Sequence, residues 1–173
     1  MTLEVTEFRS PIGLIVLAVR DGALVALEFA ERWPERRGRL VRRFGEVELR
    51  RDADPAGVPS RLAAYFGGDL GALDAIAVDP GGTPFQRRVW AALRRIPPGE
   101  TISYQALARR IGASAAVRAV GAANGANPVG IVVPCHRVIG ADGRLTGYAG
   151  GIERKRWLLG HERAGVLEQR SLP

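Results

Sequence analysis

The sequence predicts a two-domain α/β (α+β) protein, with a small antiparallel sheet and helices over residues 1–79 and a mostly helical domain over residues 80–173. Three observations predict it. The N-terminal segment is a series of short β-branched runs joined by turn residues. Asp79-Pro80-Gly81-Gly82 then interrupts the chain, and beyond it the punctuation becomes that of helices, with side-chain caps, proline at a first helical position and glycine stops. At 173 residues the chain can build one good core, or a small domain leaning on a larger one.

Leu3 to Phe8, Gly13 to Val19 and Ala23 to Phe29 read as strands, and Asp21-Gly22 between the last two is a strong hairpin signal. Glu35 to Phe44 and Ser60 to Phe66 are expected helices, after which Gly67, Gly68 and Gly71 loosen the chain. Thr83-Pro84-Phe85-Gln86 fits a capping box with proline at the first helical position. A helix is therefore expected to run to about Ile96, with Phe85, Val89, Leu93 and Ile96 facing inward. Pro97-Pro98-Gly99 ends it. Ser103 is expected to cap a second helix through Arg110 and Ile111, stopped by a left-handed Gly112, and Ser114 to cap a third from Ala115 to about Ala126. The pair makes a helix-turn-helix candidate.

The third helix is built almost wholly of small residues, with Arg118 as its one long charged side chain. Such a surface can approach closely whatever it meets, either the body of the protein or a narrow groove. Asn127-Pro128 breaks the helix, and Val129 to Val133 reads as a buried strand leading into Pro134-Cys135-His136-Arg137-Val138. Asp142-Gly143 is a turn, Thr146 to Gly151 a glycine-rich loop, and Ile152 to about Glu162 a last helix.

The net charge of +7 is unevenly placed. Residues 1–79 hold 11 Arg against 13 Asp plus Glu, a balance of −2, whereas residues 80–173 hold 14 Lys plus Arg against 5 acidic groups, a balance of +9. A basic C-terminal half points to a polyanionic partner, nucleic acid first, with a merely solvated basic surface as the alternative. No apolar run approaches the ~20 residues that span a bilayer, and Met1-Thr2-Leu3-Glu4 lacks the pattern of a secretory signal. A cytoplasmic protein with a reduced thiol and no membrane partner is expected.

That thiol is Cys135, the only cysteine, so an intrachain disulfide, a CxxC pair and a cysteine-rich zinc site are all excluded. It stands beside an imidazole and a guanidinium, two groups that can favour thiolate. If residues 135 and 136 were extended, their side chains would point to opposite faces, and contact between them would need a turn or a bridging water.

Pro134-Cys135-His136-Arg137-Val138 resembles the active-site signature of the O6-alkylguanine-DNA alkyltransferases, also called methylated-DNA–protein-cysteine methyltransferases. Gly99 to Tyr104, Arg118 to Gly121, Asn127-Pro128, Gly147 to Gly151 and Trp157 to Glu162 follow in that family's order and spacing, closely over residues 80–165 and loosely before. The resemblance implies a ribonuclease H-like N-terminal domain and a helix-turn-helix in the C-terminal one. It implies DNA repair by direct reversal, with Cys135 attacking the alkyl carbon on O6 of a flipped guanine in double-stranded DNA, and O4-alkylthymine as a lesser substrate.

The resemblance also assigns roles. His136 would take the thiol proton through a water, Glu162 would polarise the imidazole, and Tyr104 would donate to the purine as charge develops on it. Arg118 would fill the stack from the minor groove, with Tyr104, Ala119 and Gly121 beside it at the DNA. Asn127, Pro134, Val138, Tyr148, Ala149 and Gly150 would form the substrate pocket. Some family members carry serine where Ala149 stands, so a hydroxyl donor to the lesion oxygen is missing here. Others hold a structural zinc in the first domain; with no cysteine or histidine before residue 135, no metal is expected in this chain.

An alkyl-cysteine is a thioether with no hydrolytic exit, so each molecule would act once, without a cofactor. A monomer is expected, and cooperative binding along DNA is left open. Two other readings stand beside this one: a lesion-binding protein of the alkyltransferase-like class, which lacks the reactive cysteine, and a helix-turn-helix redox regulator, which would need base-reading polar side chains where this helix offers alanine and glycine. A cysteine hydrolase would need repeated turnover.

Overall fold

β-Branched and apolar alternation near the N-terminus folds into a meander of β1 (Thr2–Ser10), β2 (Gly13–Arg20) and β3 (Ala23–Phe29), paired antiparallel with Val5 opposite Ala18 and Leu17 opposite Leu27. The structure, a computed structural model, describes the backbone of residues 1–171 and their side chains except those of Ala164 and 167–171. Leu172 and Pro173, the end of the expected second domain, lie outside the described residues. Asp21 (φ 49°) and Gly22 (φ 78°) are both left-handed, which a two-residue hairpin with native strand twist requires.

A fourth strand, β4 (Glu48–Arg51), pairs parallel with β1 and gives the order β3-β2-β1-β4. Sequence reading missed it because its four residues are all exposed and three are charged, so no apolar alternation marks it. The expected purely antiparallel sheet is therefore mixed at this edge. One face of β2 and β3 packs with Leu3 and Leu40 beneath α1 (Trp33–Phe44), and the other enters the main core. α2 (Val58–Phe66) buries Leu62 and Tyr65 there.

α3 (Pro84–Leu93) begins with the expected capping box: Thr83 Oγ1 accepts from the Gln86 amide at 3.1 Å, and Gln86 Oε1 accepts from the Thr83 amide at 3.0 Å. It ends short of Ile96, although Ile96 is buried as expected; Phe85 is only partly so. Trp90 is buried as well, and its Nε1 donates to the Ala123 carbonyl at 2.8 Å.

β5 (Ile102–Ser103) pairs parallel with β6 (Val138–Ile139), two strands too short to leave a periodic signal. Ser103 caps α4 (Tyr104–Arg110) as expected, accepting from the Ala106 amide at 3.1 Å, and Gly112 is left-handed at φ 70°. α5 (Val117–Gly125) departs from expectation at its start. Ser114 does not cap it: a turn closed by Ala116 N–H to the Ala113 carbonyl at 2.8 Å intervenes, and Ala116 stands at the N-cap with no side-chain capping bond.

Val129 to Val133 is not a strand. Val129 makes one parallel bridge to Leu27, then the chain doubles back, with Val132 N–H to Gly130 O at 2.8 Å and Val133 N–H to Val129 O at 3.0 Å. Tertiary contacts override β-propensity here. α6 (Ile152–Ser171) continues past Glu162 because no proline intervenes, and Gly160 and Gly165 weaken a helix without ending it.

The main core takes Leu17, Leu24 and Leu62 from before residues 79–82 and Val89, Leu107 and Leu158 from after them. The outer edge of β3 holds two segments: Leu24 bonds to Ala77 and Asp79, and Leu27 N–H donates to the Pro128 carbonyl at 2.9 Å, which places the chain leading to Cys135. Among the described residues no helix is long and apolar enough to cross a membrane.

Candidate active site

Cys135 is presented by a strained, over-determined turn. Ile131 is buried at φ 70°, a left-handed conformation that β-branched residues rarely adopt. Asn127 holds the turn together: its Nδ2 donates to the Val133 carbonyl at 2.7 Å and its Oδ1 accepts from the Val129 amide at 3.0 Å. The Asn127 carbonyl in turn faces Arg36 Nη2 at 3.5 Å, whose guanidinium makes a buried pair with Glu28 of β3 at 3.1 Å. Cys135 opens a 3₁₀ turn over Cys135–Arg137, so Cys135 and His136 are not on an extended segment and alternation does not separate them.

Glu162, on α6, is the hub of the site. Its Oε1 accepts from His136 Nε2, Arg137 Nη2 and the Tyr65 hydroxyl, each at 2.8 Å, and its Oε2 accepts from Arg137 Nε at 3.0 Å. Arg137 Nη1 completes the cluster on the Ile96 carbonyl at 2.5 Å. Arg137 therefore serves the carboxylate, not the thiol as the sequence suggested. Burial would raise the Glu162 carboxyl, but His136 and the Arg137 fork overcome it and hold the group far below the carboxylate range. Burial lowers the His136 imidazole below its ordinary value, against the pull of Glu162.

A carboxylate can only accept, so neutral His136 carries its proton on Nε2 and offers Nδ1 as the acceptor. Nδ1 is buried with no hydrogen-bond partner among the described residues. The Cys135 thiol is pushed up by burial, opposed by a hydrogen bond with Asn127 and by the positive charge of Lys155. Lys155 is fully buried, and its Nζ donates to the Val138 carbonyl at 2.6 Å and the Thr146 carbonyl at 2.8 Å. It ties the turn that follows Cys135 to the glycine-rich loop.

A cleft opens beside Cys135, walled by Phe29 of β3, Asn124 near the end of α5, and the Tyr148 to Gly150 loop. A Cβ on Gly150 would fall 2.6 Å from the Phe29 ring and 2.8 Å from the Tyr148 ring, so this wall closes only around glycine. Arg154 lies over the Phe29 ring at 3.7 Å and donates to the Gly150 carbonyl at 3.2 Å, fixing that contact. Burial raises the Tyr148 hydroxyl well above its ordinary pKa.

Of the residues expected from sequence, Asn127, Cys135, Tyr148, Ala149 and Gly150 line this cleft. Pro134 and Val138 are buried in the same segment but outside the lining; Val138 pairs with Ile102 instead. Tyr104 donates its hydroxyl to the Thr146 carbonyl at 3.1 Å, and Gly121 faces its ring. Arg118 and Ala119 are exposed on α5. Sequence reading missed Tyr65, Lys155, Asn124 and the Glu28–Arg36 pair. Tyr65 lies in an apolar helical stripe that signals packing, and Lys155, although it is the only lysine of the chain, sits between Arg154 and Arg156 in a run that reads as a solvated basic face. Among the described residues no group of three or more His, Cys, Asp or Glu could hold a metal ion.

The family model for the 6-O-methylguanine DNA methyltransferase DNA-binding domain matches residues 84–164. The methylated-DNA–protein-cysteine methyltransferase of Salmonella typhimurium is 49% identical over 160 residues, 90% of this chain and 93% of that protein. That of Mycolicibacterium paratuberculosis is 51% identical over 161 residues, 93% of each. In structure, the chain is similar to the O6-methylguanine methyltransferase of Mycobacterium tuberculosis, with a TM-score of 0.79 and 44% identity over 94% of this chain and 93% of that one. A second Mycobacterium tuberculosis structure, OGT in complex with DNA, gives a TM-score of 0.78 at 43% identity over 95% of this chain and 94% of that one.

Proposed function

The chain belongs to the methylated-DNA–protein-cysteine methyltransferase family, and from that premise we propose how its residues carry out the reaction. It is a DNA-repair protein that transfers an alkyl group from methylated DNA to cysteine. Because the chain has one cysteine, the acceptor is Cys135. In the proposed step Sγ attacks the alkyl carbon on O6 of guanine, the Sγ–C bond forms as the C–O6 bond breaks, and the electron pair stays on O6 and spreads over the purine. The thiol proton passes through a bridging water to His136 Nδ1, and Glu162 holds the resulting imidazolium. Tyr104 donates to the purine as its charge develops. The observation that carries this relay is the 2.8 Å bond from His136 Nε2 to Glu162, which leaves Nδ1 as the only basic atom of the imidazole.

The thiol's raised pKa fits a nucleophile that stays protonated until substrate is in place. The thioether product has no hydrolytic exit, so the protein acts once per molecule, and the substrate supplies its own electrophilic carbon. O4-alkylthymine is included as a lesser substrate.

Residues 80–173 would be the DNA-binding and transfer domain, with α4 and α5 as its helix-turn-helix, and residues 1–79 a ribonuclease H-like support. Arg118 and the small exposed face of α5 suit a minor groove, where a wedge fills the gap left by a flipped nucleotide. The protein would act as a cytoplasmic monomer.

Intact-mass measurement after incubation with an O6-methylguanine duplex tests the transfer. One added methyl group is expected, and none in Cys135→Ser. An unmodified mass in folded wild-type protein would refute it.

A further inference from the structure

We propose that Tyr65, on α2, is a positioning residue for the transfer: its hydroxyl fixes the Glu162 carboxylate against His136 and limits the basicity of the imidazole. This rests on the relay proposed above. Tyr65 is fully buried, and its hydroxyl meets Glu162 Oε1 at 2.8 Å, the same oxygen that His136 Nε2 meets at 2.8 Å. A carboxylate is acceptor-only, so the Tyr65 O–H donates. Burial raises the Tyr65 pKa and keeps the hydroxyl protonated at any pH where the protein works.

The ring has its own packing reasons to be there, with edge-on contacts to Phe66 at 5.1 Å and His161 at 5.2 Å. Phenylalanine would satisfy both. Among the described residues the hydroxyl adds only the bond to Glu162, which crosses 97 residues of chain and brings the N-terminal half into the relay.

The charged and titratable groups around this bond are His136 and Arg137 from the 3₁₀ turn, Lys155 and His161 from α6, and Tyr148 from the loop. Arg137 and Tyr65 both take up charge on Oε1 that would otherwise stabilise a protonated His136. Removing the Tyr65 donor frees that charge, so His136 becomes more basic, and it also frees the carboxylate to rotate.

The test compares wild type with Tyr65→Phe in single-turnover methyl transfer from an O6-methylguanine duplex between pH 5 and 8.5, with thermal unfolding to check the fold. The plateau rate should fall by about threefold to tenfold, the effect of one lost hydrogen bond. The midpoint of the acid limb should rise by about half a pH unit as the carboxylate regains charge. A second measurement is independent of DNA: His136 is one of two histidines, so its ¹⁵N resonance can be titrated directly, and its pKa should rise in the variant. A plateau within twofold of wild type, or a lower plateau with an unmoved acid limb and an unmoved His136 titration, overturns the proposal. Absence of transfer by wild type would instead overturn the functional reading on which it rests.

Discussion

Glu162 Oε1 and His136 Nε2 stand 2.8 Å apart with neither side chain exposed to solvent. The pair therefore sets its own proton balance, apart from bulk water. Burial is the larger influence on His136 and lowers its pKa, so the imidazole remains neutral through the ordinary histidine range. Since the relay needs neutral His136, the transfer rate should be flat from pH 8 down to about 6.5 and fall only below that value. Single-turnover rates across this range check it; an acid limb centred above the ordinary histidine value would contradict it.

Glu162 also carries a stability consequence. Its folded pKa lies below its unfolded value, so its contribution is complete above the unfolded carboxylate pKa of about 4.3 and is lost as pH falls toward the folded value. Glu162→Gln removes the contribution and leaves Arg137 buried without its counter-charge. Urea unfolding at pH 7 should show a loss of about 3–5 kcal/mol. At pH 3 the gap between variant and wild type should narrow, because wild type has by then lost part of the same interaction. A gap that stays constant with pH would show that Glu162 acts only by its shape.

Gly150 tests the wall that β3 supplies to the cleft. A Cβ there meets Phe29 at 2.6 Å and Tyr148 at 2.8 Å, and Phe29 is pinned by Arg154 above it. An added Cβ must therefore displace the Tyr148 ring or the loop that carries it. Gly150→Ala is expected to slow alkyl transfer from free O6-benzylguanine and from an O6-methylguanine duplex alike, by about tenfold or more, the scale on which small misplacements act. Loss confined to the duplex would place Gly150 at the DNA surface instead.

The sequence was most legible where local chemistry decides structure. Asp21-Gly22, the Thr83 capping box and the Ser103 cap each specify a backbone geometry through a few neighbouring atoms, and each formed as read. It was least legible where distant segments decide. Val129 to Val133 has strand composition, but the edge of β3 accepts only one bridge from it, and Asn127 folds the rest into a turn. The same division holds in the site. Cys135, His136 and Glu162 could be read from a signature, whereas Tyr65 reaches Glu162 across 97 residues and Lys155 acts through two backbone carbonyls. No pattern along the chain encodes such meetings. Arg137 shows the converse error: adjacency to Cys135 suggested an effect on the thiol, yet the 3₁₀ turn sends its guanidinium to Glu162 and Ile96.

The wedge role proposed for Arg118 would separate the recognition of DNA from the chemistry. It is exposed on α5, and no part of the Cys135, His136 and Glu162 cluster depends on it. Replacing it should leave thermal stability and reaction with free O6-benzylguanine unchanged, because a free base need not be extracted from a helix. Repair of a duplex should suffer, since the flipped nucleotide would leave an unfilled gap and the few kcal/mol of unstacking would go uncompensated. A loss of about 1–3 kcal/mol, as for a contact to stacked bases, corresponds to a fall of roughly five- to 150-fold in the duplex rate. Parallel single-turnover assays of Arg118→Ala on the two substrates provide the comparison. Equal losses on both would remove the wedge role and move Arg118 into the support of the active site.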